Sequence, residues 1–412
     1  MNILLLRPLI TIRNHNSFKE RLNGKKKPES LKKIFLKSIK NISLIEINTR
    51  AVVFSGKGNG PAFKREREYL HSILPEVVFC STQSKKNFFK RSLLTLSLLV
   101  YILPLLPRLL RLLKSFRNNK RITDLDRGKF FLFLIDFLAY QYFFTIKGVK
   151  PKGVIAHALL SPRGLSLITA AIKERIPSIF ILHGACTPFT PDISYPTFPV
   201  DLHLLKSQAS YDRIGIEADL AKRIVFYGLP GNEAPLRSPP KTINRFGICL
   251  PYAVVLRDLN SLLDHVWETF SPGNIVIRFH PRDPLGKTYR RENVQISPKG
   301  ETIQGFAESC DLIIAGNTSA ILDILKIGCP VIYVANLDSF GWDVYGFVKV
   351  GLVPGFSAFE NITLRELGIV YLDNEWQNKM IYFDSSYGKS RQAINDGVKS
   401  EILSLIAKQP CD

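Results

Sequence analysis

The sequence predicts an α/β protein of two Rossmann-like domains whose parallel sheets face a common cleft. Three observations carry this. Short apolar runs bounded by Gly, Pro or polar residues alternate with helical patterns along most of the chain. A Pro- and Gly-rich stretch, "GLPGNEAPLRSPPKTINR" (228–245), interrupts that alternation and separates two halves of similar kind. The chain has 412 residues, more than one ordinary core accommodates.

The expected strands are 50–55, 153–156, 178–182 and 224–227 in the first half and 246–250, 275–279, 312–315 and 331–334 in the second. Residues 1–235 form a basic first domain, with 1–45 and 85–150 helical and available to a membrane. Residues 246–385 form the second domain, and a helix within 386–412 closes the chain.

The net charge of +21 is unevenly placed. Residues 1–150 hold 30 Lys and Arg against 9 Asp and Glu, whereas residues 151–412 hold 26 of each. A field of that strength on one domain draws polyanions: nucleic acid, an anionic membrane surface or an acidic substrate. The six cysteines have no metal-ligand spacing, which points to a reducing compartment with structural thiols. No cleavable signal is expected, because the apolar start is interrupted by Arg7. The run "LLTLSLLVYILPLLPRLLRLL" (93–113) carries two prolines and two arginines, and "FFLFLIDFLAYQYFF" (130–144) is short and contains Asp136. Neither is expected to span a bilayer. The first, flanked by Lys85, Lys86, Lys90, Arg91, Lys114 and Arg117, is either a core helix or a helix lying on an anionic leaflet.

Three stretches carry chemistry. In "CDLIIAGNTSAILDILKIGCPVIYV" (310–334) a buried strand stops at Gly316, and Asn317, Thr318 and Ser319 open a helix that Gly328 and Pro330 end. Thr318 and Ser319 either cap that helix or present hydroxyls to a phosphate at the carboxyl edge of the sheet, and the stretch alone leaves both open. In "IVIRFHPRD" (275–283) a strand ends at Arg278, and Pro281 holds His280 out of helical geometry, with Arg282 beside it. In "SIFILHGACTPFT" (178–190) a strand runs into His183-Gly184, where the glycine admits close approach of a ligand. "SGKGNGPAFKRE" (55–66) is Gly-rich after a strand but lacks P-loop spacing; by position it is the first glycine loop of the N-terminal domain, with Gly56 facing the cleft. "TDLDR" (123–127) has Asp-x-Asp spacing without a supporting strand and reads as a helix surface or cap.

In order and spacing these motifs resemble GT-B superfamily transferases that use cytidine-activated donors. The nearest pattern is that of the CDP-glycerol glycerophosphotransferases of teichoic acid synthesis, with related motifs in capsule-type, polysialyltransferase-like enzymes that use CMP-Kdo or CMP-sialic acid. The matching residues are His183-Gly184 with Thr187-Pro188, His280-Pro281, and Thr318-Ser319 with Asp323. Leu182 stands where the first group has Trp, and two extra residues separate Gly184 from Thr187.

The resemblance implies a GT-B enzyme that needs neither metal nor other cofactor. It would transfer an activated sugar, acidic sugar or polyol phosphate to a surface polysaccharide or lipid-linked acceptor at the inner face of the cell membrane. His183 would act as general base, with Gly184 and Gly56 on the acceptor side. His280, Arg278, Arg282, Asn317, Thr318 and Ser319 would hold donor phosphate, with Asp323 at a ribose hydroxyl and Tyr252 near the base. The alternatives are a UDP-GlcNAc 2-epimerase-like enzyme, a basic nucleic-acid-binding protein and a non-catalytic GT-B scaffold.

Overall fold

The computed structural model describes residues 52–55, 61–81, 100–115, 123–156, 162–182, 185–190, 199–214, 223–251, 254, 256–281, 283, 285–338 and 340–407, together with Ile12. Two parallel six-stranded sheets organise them.

The first sheet contains β1 (Val52–Ser55), β2 (Phe79–Ser81), β3 (Gly153–Ala156), β4 (Ser178–Ile181), β5 (Leu202–Leu205) and β6 (Ile224–Phe226), in the order β2-β1-β3-β4-β5-β6. The second contains β7 (Arg245–Cys249), β8 (Asn274–Arg278), β9 (Val294–Ile296), β10 (Leu312–Ala315), β11 (Val331–Val334) and β12 (Gly355–Phe356), in the order β12-β11-β10-β7-β8-β9. Read from β9, that order runs third, second, first, fourth, fifth, sixth, the doubly wound Rossmann arrangement. The expected two-domain α/β architecture is therefore present.

All four residues of β3, β4, β10 and β11 are buried, as strands covered by helices on both faces require. On one face of the first sheet Val154, Ala156 and Phe180 pack with the helices Asp124–Gln141 and Pro162–Lys173. On the other face, Val52, Ile155, Ile179 and Leu204 pack with the helix Pro61–Ile73 and with Val398 and Ile402 of the last helix, Arg391–Ala407. That last helix follows the second domain in sequence but covers the first sheet. Its aliphatic face is buried there, and Arg391 lies 4.9 Å from the Tyr69 ring centre.

The segment Asp126–Ile146 is long and apolar enough to cross a membrane, but its apolar window is 72% buried within the protein. Asp136 is buried in it, and Phe130, Phe133 and Phe137 stack along it. It serves as the core helix of the first domain. Thr123 and Asp126 form its capping box: the Thr123 Oγ1 accepts from the Asp126 amide at 3.2 Å, and Asp126 accepts from the Thr123 amide at 2.9 Å. This accounts for Asp126 of the Asp-x-Asp spacing as a helix start.

Candidate functional site

In the second sheet β10, β7 and β8 are adjacent and parallel, so the chain leaves all three at one edge. The order of succession reverses between β7 and β10, because β8 and β9 lie to one side and β10 to β12 to the other. A crevice opens outside the carboxyl ends of the strands at such a reversal, and ligands of doubly wound sheets bind there. Gly316 closes β10 at that point. A Cβ on it would meet Pro251 side-chain atoms at 3.1 Å and Leu337 Cβ at 3.2 Å, so glycine lets the two loops approach. His280 leaves β8 on the far side of β7, about 10 Å from the β10 loop by two strand spacings.

Asn317 is committed to the protein. Its Nδ2 donates to Asp338 at 3.2 Å and to the Trp342 carbonyl at 2.9 Å, and its Oδ1 accepts from the Tyr333 hydroxyl at 3.1 Å and the Val344 amide at 2.8 Å. It holds the Asp338–Gly346 loop against the end of β10 and does not itself offer a donor to phosphate. Burial, followed by the nearby Asp338 and Asp343, raises the Tyr333 phenol well above its ordinary range. It therefore remains a neutral donor to Asn317.

Thr318 Oγ1 accepts from the Ala320 amide at 3.2 Å. Ser319, the residue before the helix Ala320–Lys326, makes no capping hydrogen bond with its side chain. The sequence left Ser319 between cap and ligand group. In the structure it holds the N-cap position without a side-chain capping bond, so its hydroxyl is not committed to the helix end.

His280 is half-buried at the end of β8, and its carbonyl accepts from the Asp283 amide at 2.8 Å. Arg278 is turned to its own domain: it donates to Ser297 at 3.0 Å and to the Glu301 carbonyl at 2.8 Å, and lies over the Phe306 ring. An open groove of about 590 Å³ beside this loop is lined by Leu256, Asn260, Leu285 and Tyr289 among others. His183, Gly184, Gly56, Tyr252 and Arg282 lie outside the described residues.

The two domains meet at this edge. Arg65, on the helix after β1, donates to Asp323 Oδ1 at 3.0 Å. Burial opposes the Arg65 charge, but Asp323 and Glu66 outweigh it and hold the guanidinium above its ordinary value. Glu66 also receives the buried Lys206 ammonium at 3.2 Å. Burial lowers the Lys206 pKa despite the attraction of Glu66. The loop after β4 crosses to the second domain as well: Thr187 Oγ1 donates to the Tyr345 carbonyl at 2.7 Å, and Phe189 lies over Gly346 and under Lys349. Gly346 has φ +75°, and a Cβ there would stand 1.8 Å from the Phe189 ring. Thr187 and Phe189 of the first domain thus meet the loop that Asn317 holds against the end of β10.

Sequence reasoning missed Lys326, at the other end of the Thr318-Ser319 helix. Its buried ammonium donates to the Leu229 carbonyl at 2.9 Å, Asp384 at 2.8 Å and Ser386 at 2.7 Å. Leu229 and Asp384 lie on the two chain segments that pass between the domains, and Asp384 also accepts from the Leu229 amide at 2.8 Å. The helix carrying the motif is thereby tied to both crossings. Arg65, Glu66 and Lys206 were missed too, because partners 258 and 140 residues away leave no spacing signal.

No family model matches the chain, and a search of curated proteins finds no relative. Solved structures similar to it include the wall teichoic acid polymerase TagF soaked with CDPG, at 12% identity, 93% of this chain, 99% of that one and a TM-score of 0.49. They also include the calicheamicin glycosyltransferase CalG4, at 10% identity, 88% of this chain, 100% of that one and a TM-score of 0.48. A third is a Listeria monocytogenes protein described as a UDP-N-acetylglucosamine 2-epimerase, at 11% identity, 89% of this chain, 99% of that one and a TM-score of 0.46. The fold stands on its own strand order.

Proposed function

We propose that this protein is a GT-B transferase that moves a cytidine-activated sugar, acidic sugar or polyol phosphate onto an anionic glycan or lipid-linked acceptor at the inner face of the cell membrane. The observation that carries the reading is the reversal of strand order between β7 and β10, where Gly316 lets the Pro251 and Asn317-Thr318-Ser319 loops approach and the Ser319 side chain makes no capping bond.

The donor phosphate lies against the Thr318 and Ser319 hydroxyls, with His280 approaching from β8. These groups stabilise the charge that develops as the bond to the nucleotide breaks. The acceptor oxygen forms the new bond, its proton passes to His183 as the general base, and the cytidine nucleotide leaves with the bonding pair. Asp323 takes a ribose hydroxyl in exchange for Arg65, whose freed guanidinium then turns to donor charge. Asn317 acts through the loop it holds, and Arg278 through the β8–β9 packing.

Calorimetric titration with CMP, CDP, UMP and UDP tests this. Cytidine-selective binding that is lost in His280→Ala and Ser319→Ala supports it. Uridine preference moves the reading to the epimerase-like alternative, and absence of binding to all four nucleotides overturns it.

A further inference from the structure

Residues 100–115 form a nearly continuous helical segment, tightened at Leu103–Leu105 where Pro104 and then Pro107 remove amide donors. One side is committed to the first-domain core: Ile102 and Leu113 are buried, and Tyr101, Leu106, Leu109 and Leu112 pack against it. The other side is apolar and uncovered. Val100 is 65% exposed, Leu103 50% and Leu110 42%, with Pro107 exposed between them. The steps of three and four along 100, 103, 107 and 110 put these residues in one stripe. Ile146, 59% exposed, adjoins its start, because Tyr101 packs on Tyr142 at 5.3 Å and Lys147 lies 5.8 Å over the same ring.

The charge on the helix and along its flanking sequence has one sign. Arg108, Arg111 and Lys114 are exposed on the helix. No Asp or Glu occurs anywhere between Glu76 and Asp124, a span that contains ten Lys and Arg. A row of aliphatic side chains at the centre of a positive field matches the acyl boundary of an anionic leaflet. Nucleic acid gains nothing from exposed Val, Leu and Ile, since it is gripped by cations and aromatic stacking. The segment is about 24 Å long at 1.5 Å per residue and is buried along its opposite side, so it lies on the leaflet and does not cross it.

We infer that the 100–115 helix is a monotopic membrane-docking surface, with Val100, Leu103, Pro107, Leu110 and Ile146 entering the headgroup–acyl boundary of an anionic leaflet and Arg108, Arg111 and Lys114 at its phosphates. This deepens the membrane placement of the proposed function, on which it rests, and needs nothing from the donor site.

The test is co-sedimentation of the full chain with phosphatidylglycerol–phosphatidylcholine vesicles and with phosphatidylcholine alone. It uses wild type, the pair Leu103→Asp with Leu110→Asp, and the pair Arg108→Gln with Arg111→Gln. All these positions are exposed, and circular dichroism with thermal unfolding reports whether each variant stays folded. The expected result is binding to anionic vesicles only, at least about tenfold weaker in the Leu pair and weaker by about fivefold per charge removed in the Arg pair. Equal binding to neutral vesicles overturns the inference. So does a Leu pair that binds like wild type, which makes the attraction one of charge alone. Retention of duplex DNA without vesicle binding overturns it in favour of a nucleic-acid surface.

Discussion

Asn317 and Ser319 are two positions apart and are built for different tasks. Asn317 makes four side-chain hydrogen bonds within its domain and positions the Asp338–Gly346 loop, so Asn317→Ala leaves buried partners unmatched. Denaturant unfolding is expected to show a loss of about 3 kcal/mol. Ser319 makes no capping bond, so Ser319→Ala is expected to leave the unfolding midpoint unchanged while lowering cytidine-nucleotide affinity about tenfold or more by calorimetry. The buried cysteines give a third expectation at this scale. Burial pushes the Cys186, Cys249 and Cys329 thiols up to about 12, so at neutral pH they carry almost no thiolate. Alkylation mapped by mass spectrometry should modify these three only after unfolding.

At the scale of elements, the strands with continuous apolar runs were legible. Gly153–Ala156, Leu312–Ala315 and Val331–Val334 lie where periodicity put them, four others differ from expectation at their ends, and residues 50 and 51, expected to begin β1, lie outside the described residues. The strands that escaped are short or carry polar residues: Phe79–Ser81, Leu202–Leu205 with His203 inside it, the exposed edge Val294–Ile296 and the two-residue Gly355–Phe356. Their pairing is fixed by neighbouring strands, which local sequence does not record. The Lys326–Asp384 pair was illegible for a related reason: Lys326 reads as an ordinary basic residue at a helix end until the fold brings both crossing segments to it. Lys326→Met leaves Asp384 buried without its cation and is expected to cost about 3 kcal/mol in chemical unfolding, far more than removal of a surface pair.

For the whole molecule, the charge asymmetry and the two-domain layout were readable from composition and punctuation, whereas the closed junction between domains was not. Arg65–Asp323, Thr187–Tyr345 and Phe189–Gly346 join positions more than 150 residues apart, and Gly346 gave no signal of needing φ +75° against an aromatic ring. Gly346→Ala places a methyl group into Phe189, so small-angle scattering is expected to show a larger radius of gyration with both domains still folded.

The central claim is that donor nucleotide binds at the β7–β10 crevice. Hydrogen–deuterium exchange of the full chain with and without CDP reads that location directly. The account predicts protection centred on 250–256, 279–283 and 316–322, with a weaker effect around 61–67 as Arg65 exchanges its partner. Protection confined to the basic segment 82–122, or saturation with CDP that leaves those loops unprotected, would contradict it.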